Sequence, residues 1–350
     1  MPRPSATFAT LLGLSVFLSG CGGSTSSSGP KGKPGVFAIR PVALRTNGLG
    51  VDPKTGKVWA SLPDGNGSVV DIDPTTGATG SPIEVGVNPG VLAVSADGST
   101  MFVGLDGTSA LRKVDLRTRT AGGTFPLRTA SGSDLLASVI RFQPGSNTTI
   151  GVSTNVAPPF IGEATGPLIY DDGVPRPNAL GLYTGRDFVW TSPSRIVTVF
   201  GYDWNEVVVD AQGASISRSV RNEPLRDTSL VVRHGGKLYG DDGTVSDENT
   251  LARIAALPIP GPFYGGTRSR PVIDVAADRV FFLVTTPEGV RLFGYRFSDL
   301  SLVNEIELPG LPGAGSEDRM TRPDLIRVGA HGLACRSKST VYFLDNVPGL

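Results

Sequence analysis

From residue 36 onward the apolar positions come in short runs broken by clusters of Gly, Pro, Asp, Ser and Asn. No stretch keeps a helical period long enough to predict a long amphipathic helix. A pair of apolar residues spaced h-x-h, followed by a turn cluster, returns seven times: Leu49/Val51, Leu92/Val94, Ile140/Phe142, Val189/Thr191, Leu230/Val232, Ile273/Val275 and Ile326/Val328. Only Thr191 departs from the apolar rule. Successive pairs start 41 to 53 residues apart. Each pair predicts a strand, and each following cluster (DPKTG, SADGS, QPGSN, TSPSR, RHGGK, AADR, GAHG) predicts a tight hairpin turn. Gly and Asp tolerate positive φ there, and Pro presets a turn's second position.

A second strand follows each turn, as in Val58-Trp59-Ala60, Met101-Phe102-Val103 and Val280 to Val284. A third often ends in Asp, at Asp71, Asp115, Asp171, Asp210 and Asp345. A short fourth closes several units, as at Ile83-Glu84-Val85, Phe125-Pro126-Leu127 and Ile306-Glu307-Leu308. Four antiparallel strands per unit and a repeat of about 40–50 residues predict an all-β chain, a seven-bladed β-propeller. The seventh unit supplies only three strands before the chain ends. Its fourth is expected from Val36 to Arg45, so that the N-terminal strand completes the last blade and closes the ring. Pro41 suits that place, because an outer edge strand tolerates a missing N–H.

Residues 91–120 carry Val94, Asp97, Gly98, Phe102, Val114 and Asp115 in the order apolar strand, Asp-Gly turn, aromatic strand, valine–Asp. This resembles the bacterial YVTN-type (WD40-like) propeller repeat. Residues 47–86 match it more loosely, and later units drift. IYDDGVPRP (169–177) and LIRVGAHGLACR (325–336) are similar to phrases in secreted bacterial propellers without an assigned function. The resemblance implies a fold and specifies no activity.

The first residues read differently. Arg3 supplies a positive n-region, and Ala6 to Leu18 is a mainly apolar stretch suited to a signal h-region, too short for the roughly 20 residues a spanning helix needs. Leu18-Ser19-Gly20-Cys21 then resembles the bacterial lipobox. That resemblance implies a signal peptide over 1–20, cleavage before Cys21, and acylation of the cysteine. Several buried acyl chains make membrane attachment effectively permanent. Gly22 and Gly23 follow with no Asp beside the cysteine, which under the enterobacterial sorting rule favours the outer membrane. Residues 22–35 (GGSTSSSGPKGKPG) lack the apolar side chains to offset their ordering entropy, so 21–35 is expected to be a lipidated tether and 36–350 the propeller domain. The expected location is the cell envelope, with the membrane as partner through the lipid anchor.

Charge narrows the classes further. Thirty-two basic residues balance 32 acidic ones, which excludes a strongly basic nucleic-acid binder as the default. Two histidines and two cysteines leave little for a histidine-rich metal site or a disulfide scaffold. His234 and His331 both fall in first hairpin turns, and no G-x-S-x-G occurs, so an esterase-type triad lacks support. Cys335 sits at an apolar strand position and is expected to be a buried free thiol. The segment from Asp52 to Trp59 faintly resembles a quinoprotein docking phrase, but occurs once and one residue short, so no cofactor is expected. Asp171-Asp172 and Asp241-Asp242 alone do not make a calcium site.

Hairpin geometry assigns the turns to two faces. First-to-second and third-to-fourth turns share one face and are short. Second-to-third loops and the links between blades share the other, where extra length collects at 153–167, 259–271 and 309–323, with a shorter insertion at 201–206. These loops carry Phe160, Tyr202, Trp204, Phe263, Tyr264, Arg268, Arg270, Arg319 and Arg322, of the residue types enriched at interface anchors. The expected function is a binding or scaffolding platform, monomeric, for an envelope protein or small ligand. The aromatics could instead fold inward as packing. A competing expectation is a lactonase-like hydrolase with Glu163, Asp203, Arg268 and Glu317 converging at the channel mouth.

Overall fold

The structure, a computed structural model, describes residues 36–129, 131–157, 164–181, 183–222, 228–260, 267–286, 289–313, 316–318 and 324–350. Among these residues every regular element is a β-strand. The first, β1 (Ala38–Ala43), belongs to the last blade. Blade 1 is β2 (Gly48–Val51), β3 (Val58–Leu62), β4 (Ser68–Ile72) and β5 (Ile83–Glu84). Blade 2 is β6 (Pro89–Val94), β7 (Thr100–Leu105), β8 (Ala110–Asp115) and β9 (Thr120–Pro126). Blade 3 is β10 (Leu135–Phe142), β11 (Thr149–Val156), β12 (Ala164–Asp171) and β13 (Val174–Pro175). Blade 4 is β14 (Asp187–Ser192), β15 (Arg195–Phe200), β16 (Asp203–Asp210) and β17 (Gly213–Arg221). Blade 5 is the shortest, with β18 (Val231–His234), β19 (Lys237–Gly240), β20 (Thr244–Asp247) and β21 (Arg253–Ala256). Blade 6 is β22 (Val272–Asp274), β23 (Arg279–Thr286), β24 (Gly289–Arg296) and β25 (Leu302–Glu307). Blade 7 is β26 (Leu325–Val328), β27 (Gly332–Arg336), β28 (Thr340–Asp345) and β1.

Each blade is an antiparallel sheet, and the inner strands β2, β6, β10, β14, β18, β22 and β26 touch in succession, β26 returning to β2. The chain is a seven-bladed β-propeller closed by its N-terminal strand. Closure runs from Ala38 opposite Asp345 to Ala43 opposite Thr340, with Pro41 on the outer edge as expected. Arg40 reinforces it, pairing with Asp345 at 3.1 Å and lying 4.8 Å over the Phe343 ring.

Side chains alternate along a strand, so one strand feeds two interfaces. In β7, Met101, Val103 and Leu105 pack with blade 1 while Phe102 packs with blade 3. All six β7 residues are therefore buried. Seven buried clusters result, one between each pair of neighbouring blades. Cys335 is fully buried in the cluster between blades 6 and 7, and burial pushes its thiol up to about 12.

Several of the tight turns owe their shape to Asp. The Asp52 carboxylate accepts the N–H groups of Lys54 (2.9 Å) and Thr55 (3.3 Å), and the Gly56 N–H returns to the Asp52 carbonyl at 2.8 Å with φ +72°. Asp73 repeats this with Thr75, Thr76 and Gly77, and Asp247 with Asn249, Thr250 and Leu251. Both expected hairpin histidines lie on this face. His331 Nδ1 sits 2.9 Å from the Leu350 carbonyl, and His234 packs edge-on against Phe297.

Two expected loops are shorter than predicted. Between β15 and β16 only Gly201 and Tyr202 turn the chain, because Asp203 to Glu206 pair in register with β15. Strands β11 and β12 likewise consume most of 153–167.

Candidate functional site

The long-loop face gathers the loops between second and third strands and the links between blades. Cys21, Phe160, Glu163, Phe263, Tyr264, Arg319 and Arg322 lie outside the described residues. The remaining candidates separate into three environments.

Tyr202 sits at the turn of blade 4 and is 37% exposed. The Arg221 guanidinium lies 5.5 Å over its ring and also meets the Asp203 carboxylate at 3.4 Å. Phe200, two residues earlier, takes the edge of Tyr183 at 5.5 Å and the guanidinium of Arg186 at 5.3 Å. Tyr183 is half exposed. Three aromatics and two arginines thus surround one turn, in cation–π and edge-to-face geometry. Only Tyr202 of this cluster was expected. Tyr183 and Arg186 come from the link into blade 4 and Arg221 from the end of β17, segments whose length raises no flag; aromatic and arginine density in 183–186 was the available signal.

Trp204 corrects the expectation for an exposed anchor. It is 1% exposed and packs with Val189, Val197, Val199, Val231, Leu238 and Leu251 between blades 4 and 5. Its position in β16 dictates this, since alternation sends it inward while Asp203 stays at the surface.

Arg268 and Arg270 also turn inward. Arg270 Nε donates to the Asp187 carboxylate at 2.9 Å. Asp187, the first residue of β14, is fully buried and receives Arg141 Nη2 at 3.2 Å and the Val231 N–H at 2.9 Å. One carboxylate therefore ties together blades 3, 4, 5 and 6. Burial opposes its ionisation, but Arg141 and Arg270 together hold it below its ordinary value. Arg268 meets Asp241 at 3.5 Å, whose other oxygen accepts the N–H groups of Ser229 and Leu230. Here burial dominates over the Arg268 attraction and pushes the Asp241 carboxyl up to about 6. Arg336 joins Asp324 at 2.8 Å and the Thr46 carbonyl at 3.0 Å, linking blades 7 and 1.

Of the described hydrolase candidates, Asp203 and Arg268 stand apart. Asp203 is a surface residue paired with Arg221, whereas Arg268 is buried against Asp241. Asp171 is taken by Arg176 and Thr149, and Asp242 by Thr244. Among the described residues no group of three or more His, Cys, Asp or Glu side chains is placed to hold a metal.

No protein-family model matches the chain, and no curated protein matches it.

Proposed function

We propose that this chain is a lipid-anchored β-propeller of the bacterial cell envelope that binds a partner protein or small ligand through its long-loop face. The observation that carries this reading is the aromatic–arginine cluster of Tyr183, Arg186, Phe200, Tyr202 and Arg221 around one turn of that face. Such side chains supply contact area at low entropic cost and can pair with both apolar and acidic surfaces. The strand register adds support. Ala38 pairs with Asp345, the last residue of β28, so the chain enters the fold on the tight-turn side, opposite the cluster. Lipidation at Cys21 rests on the lipobox resemblance, and the outer membrane on the absence of an acidic residue after the cysteine.

Photo-crosslinking in the native envelope tests the reading, with probes replacing Tyr183 and Tyr202 and a control at Asp278 in a tight turn. A discrete adduct from the two long-loop positions alone is expected. The same adducts from Asp278 would remove the binding face. Separately, Cys21→Ser is expected to abolish lipid labelling and release the protein into the soluble fraction, and unchanged membrane retention would refute the anchor.

A further inference from the structure

The inner strands end, on the tight-turn side, around an open depression of ≈ 630 Å³. Its walls include Val94, Ile140, Val189, Trp190, Val232 and Ile273, and its rim includes Pro53 and Ala96 from the first turns of blades 1 and 2. Pockets that hold small molecules run from about 300 to 1,000 Å³ and are mainly apolar with a few placed polar groups. Two cations line this one. Arg233 is matched by Glu248 at 2.7 Å.

Arg141 differs. It lines the depression and also reaches Asp187, so it belongs to both halves of the channel. Asp187 serves Arg141 and Arg270 alike, and one carboxylate cannot neutralise two guanidiniums. Asp241 and Asp324 also act on Arg270, but each faces its own guanidinium, Arg268 and Arg336. Among the described residues of this cluster, four guanidiniums (Arg141, Arg268, Arg270, Arg336) thus face three carboxylates (Asp187, Asp241, Asp324). Burial and repulsion from Arg270 act against the Arg141 charge, while Asp187 supports it. In addition, Arg141 Nε is buried and meets no acceptor among the described residues. A buried N–H without a partner is costly, and an acceptor bound beside it would remove that cost.

We propose that the tight-turn half of the channel binds a free, amphiphilic organic monoanion, with a carboxylate at Arg141 and an apolar body against Val94, Val189, Val232 and Ile273. A single net positive charge suits a monoanion, and the apolar wall disfavours inorganic phosphate. This site is separate from the long-loop cluster and independent of its reading.

The test uses the full chain carrying Cys21→Ser, so that micelles do not compete for the probe. Calorimetric titration with octanoate is expected to give saturable 1:1 binding, with a change in tryptophan emission that Trp190→Phe abolishes. Octylamine and octanol should bind at least tenfold more weakly. Ile273→Glu, a half-buried wall position packed against the blade 5–6 cluster, should weaken octanoate at least tenfold in a protein that still unfolds in one cooperative transition. Arg141→Gln should do the same for affinity if it folds, and Ile273→Glu decides the matter if it does not. No saturable octanoate binding, equal binding of octylamine, or indifference to Ile273→Glu would each overturn the proposal.

Discussion

In the Asx turns of the tight-turn face a carboxylate is spent locally, whereas the buried channel carboxylate Asp187 is spent across the ring. Asp52, Asp73 and Asp247 each satisfy N–H groups two and three residues ahead. Such a turn needs nothing from its neighbours and can recur blade after blade. Asp187 instead takes Val231, Arg141 and Arg270, which are 44, 46 and 83 residues away. Those bonds exist only once four blades have closed around them. The contrast separates what makes a propeller blade from what makes this propeller. Local Asx turns define the repeat, whereas the buried ion cluster fixes how particular blades sit about the channel.

The largest expected effect follows from Asp187. Asp187→Asn keeps the shape but leaves Arg141 and Arg270 as buried cations with no full countercharge, and breaking such a cluster costs about 3–5 kcal/mol. Urea unfolding should show that loss as a lowered midpoint. The sign with pH is also fixed. The folded carboxyl titrates below its unfolded value, so its contribution is complete above the unfolded pKa of about 4 and disappears as pH falls through the folded one. The Asn variant should lack this acid-side loss. A change under about 1 kcal/mol, the range of exposed pairs, would mean that the cluster is no more costly to break than a surface bridge, and the contrast between faces would fail.

The same division explains what the sequence alone could reveal. The seven inner strands, the tight turns and the closing strand all follow from short-range signals: h-x-h spacing, Asp and Gly at fixed offsets, and Pro41 at an edge. The long-loop face followed in position but less well in detail. Trp204 reads as a loop aromatic because GYDWNE contains Gly and Asp, yet the pairing of Asp203 to Glu206 with β15 puts it in the core. Arg268 and Arg270 read as surface arginines because their partners, Asp241 and Asp187, are distant in sequence. Nothing near Asp187 marks it as a hub. It is the opening residue of an ordinary strand, and its role arises from ring closure.

Asp241 sharpens the comparison with an effect of opposite sign. Its folded pKa of about 6 lies above the unfolded value, so the fold favours the protonated carboxyl. The associated stability is present below the unfolded pKa of about 4 and is lost as pH rises through 6, on the order of 2–3 kcal/mol in all. Asp241→Asn retains an oxygen for the Ser229 and Leu230 N–H groups and removes the titration. Melting temperature plotted against pH should therefore fall between pH 4 and 7 in a component that the Asn variant lacks. If that component survives in the variant, another buried group causes it. The two channel carboxyls act in separate pH windows, so one pH series can assign both.

The smallest effect belongs to the turn face. Asp52→Ala removes an acceptor used by Lys54, Thr55 and the Thr55 hydroxyl, comparable to losing a helix N-cap at about 1 kcal/mol. Asp52→Asn keeps an acceptor and should be close to neutral, a distinction that a purely ionic role for Asp52 would not produce. Gly56→Ala probes the backbone of the same turn. The φ of +72° disfavours a side chain, while a Cβ there meets no atom within 4 Å, so the whole cost, about 1 kcal/mol, is conformational. Double substitution of Asp52 and Asp187 then asks whether the faces are independent. Sites far apart with no shared partner add to within about 0.5 kcal/mol. A larger coupling would mean that the local turns and the channel cluster respond to one closing event, and that the ring cannot be treated as repeats plus a site.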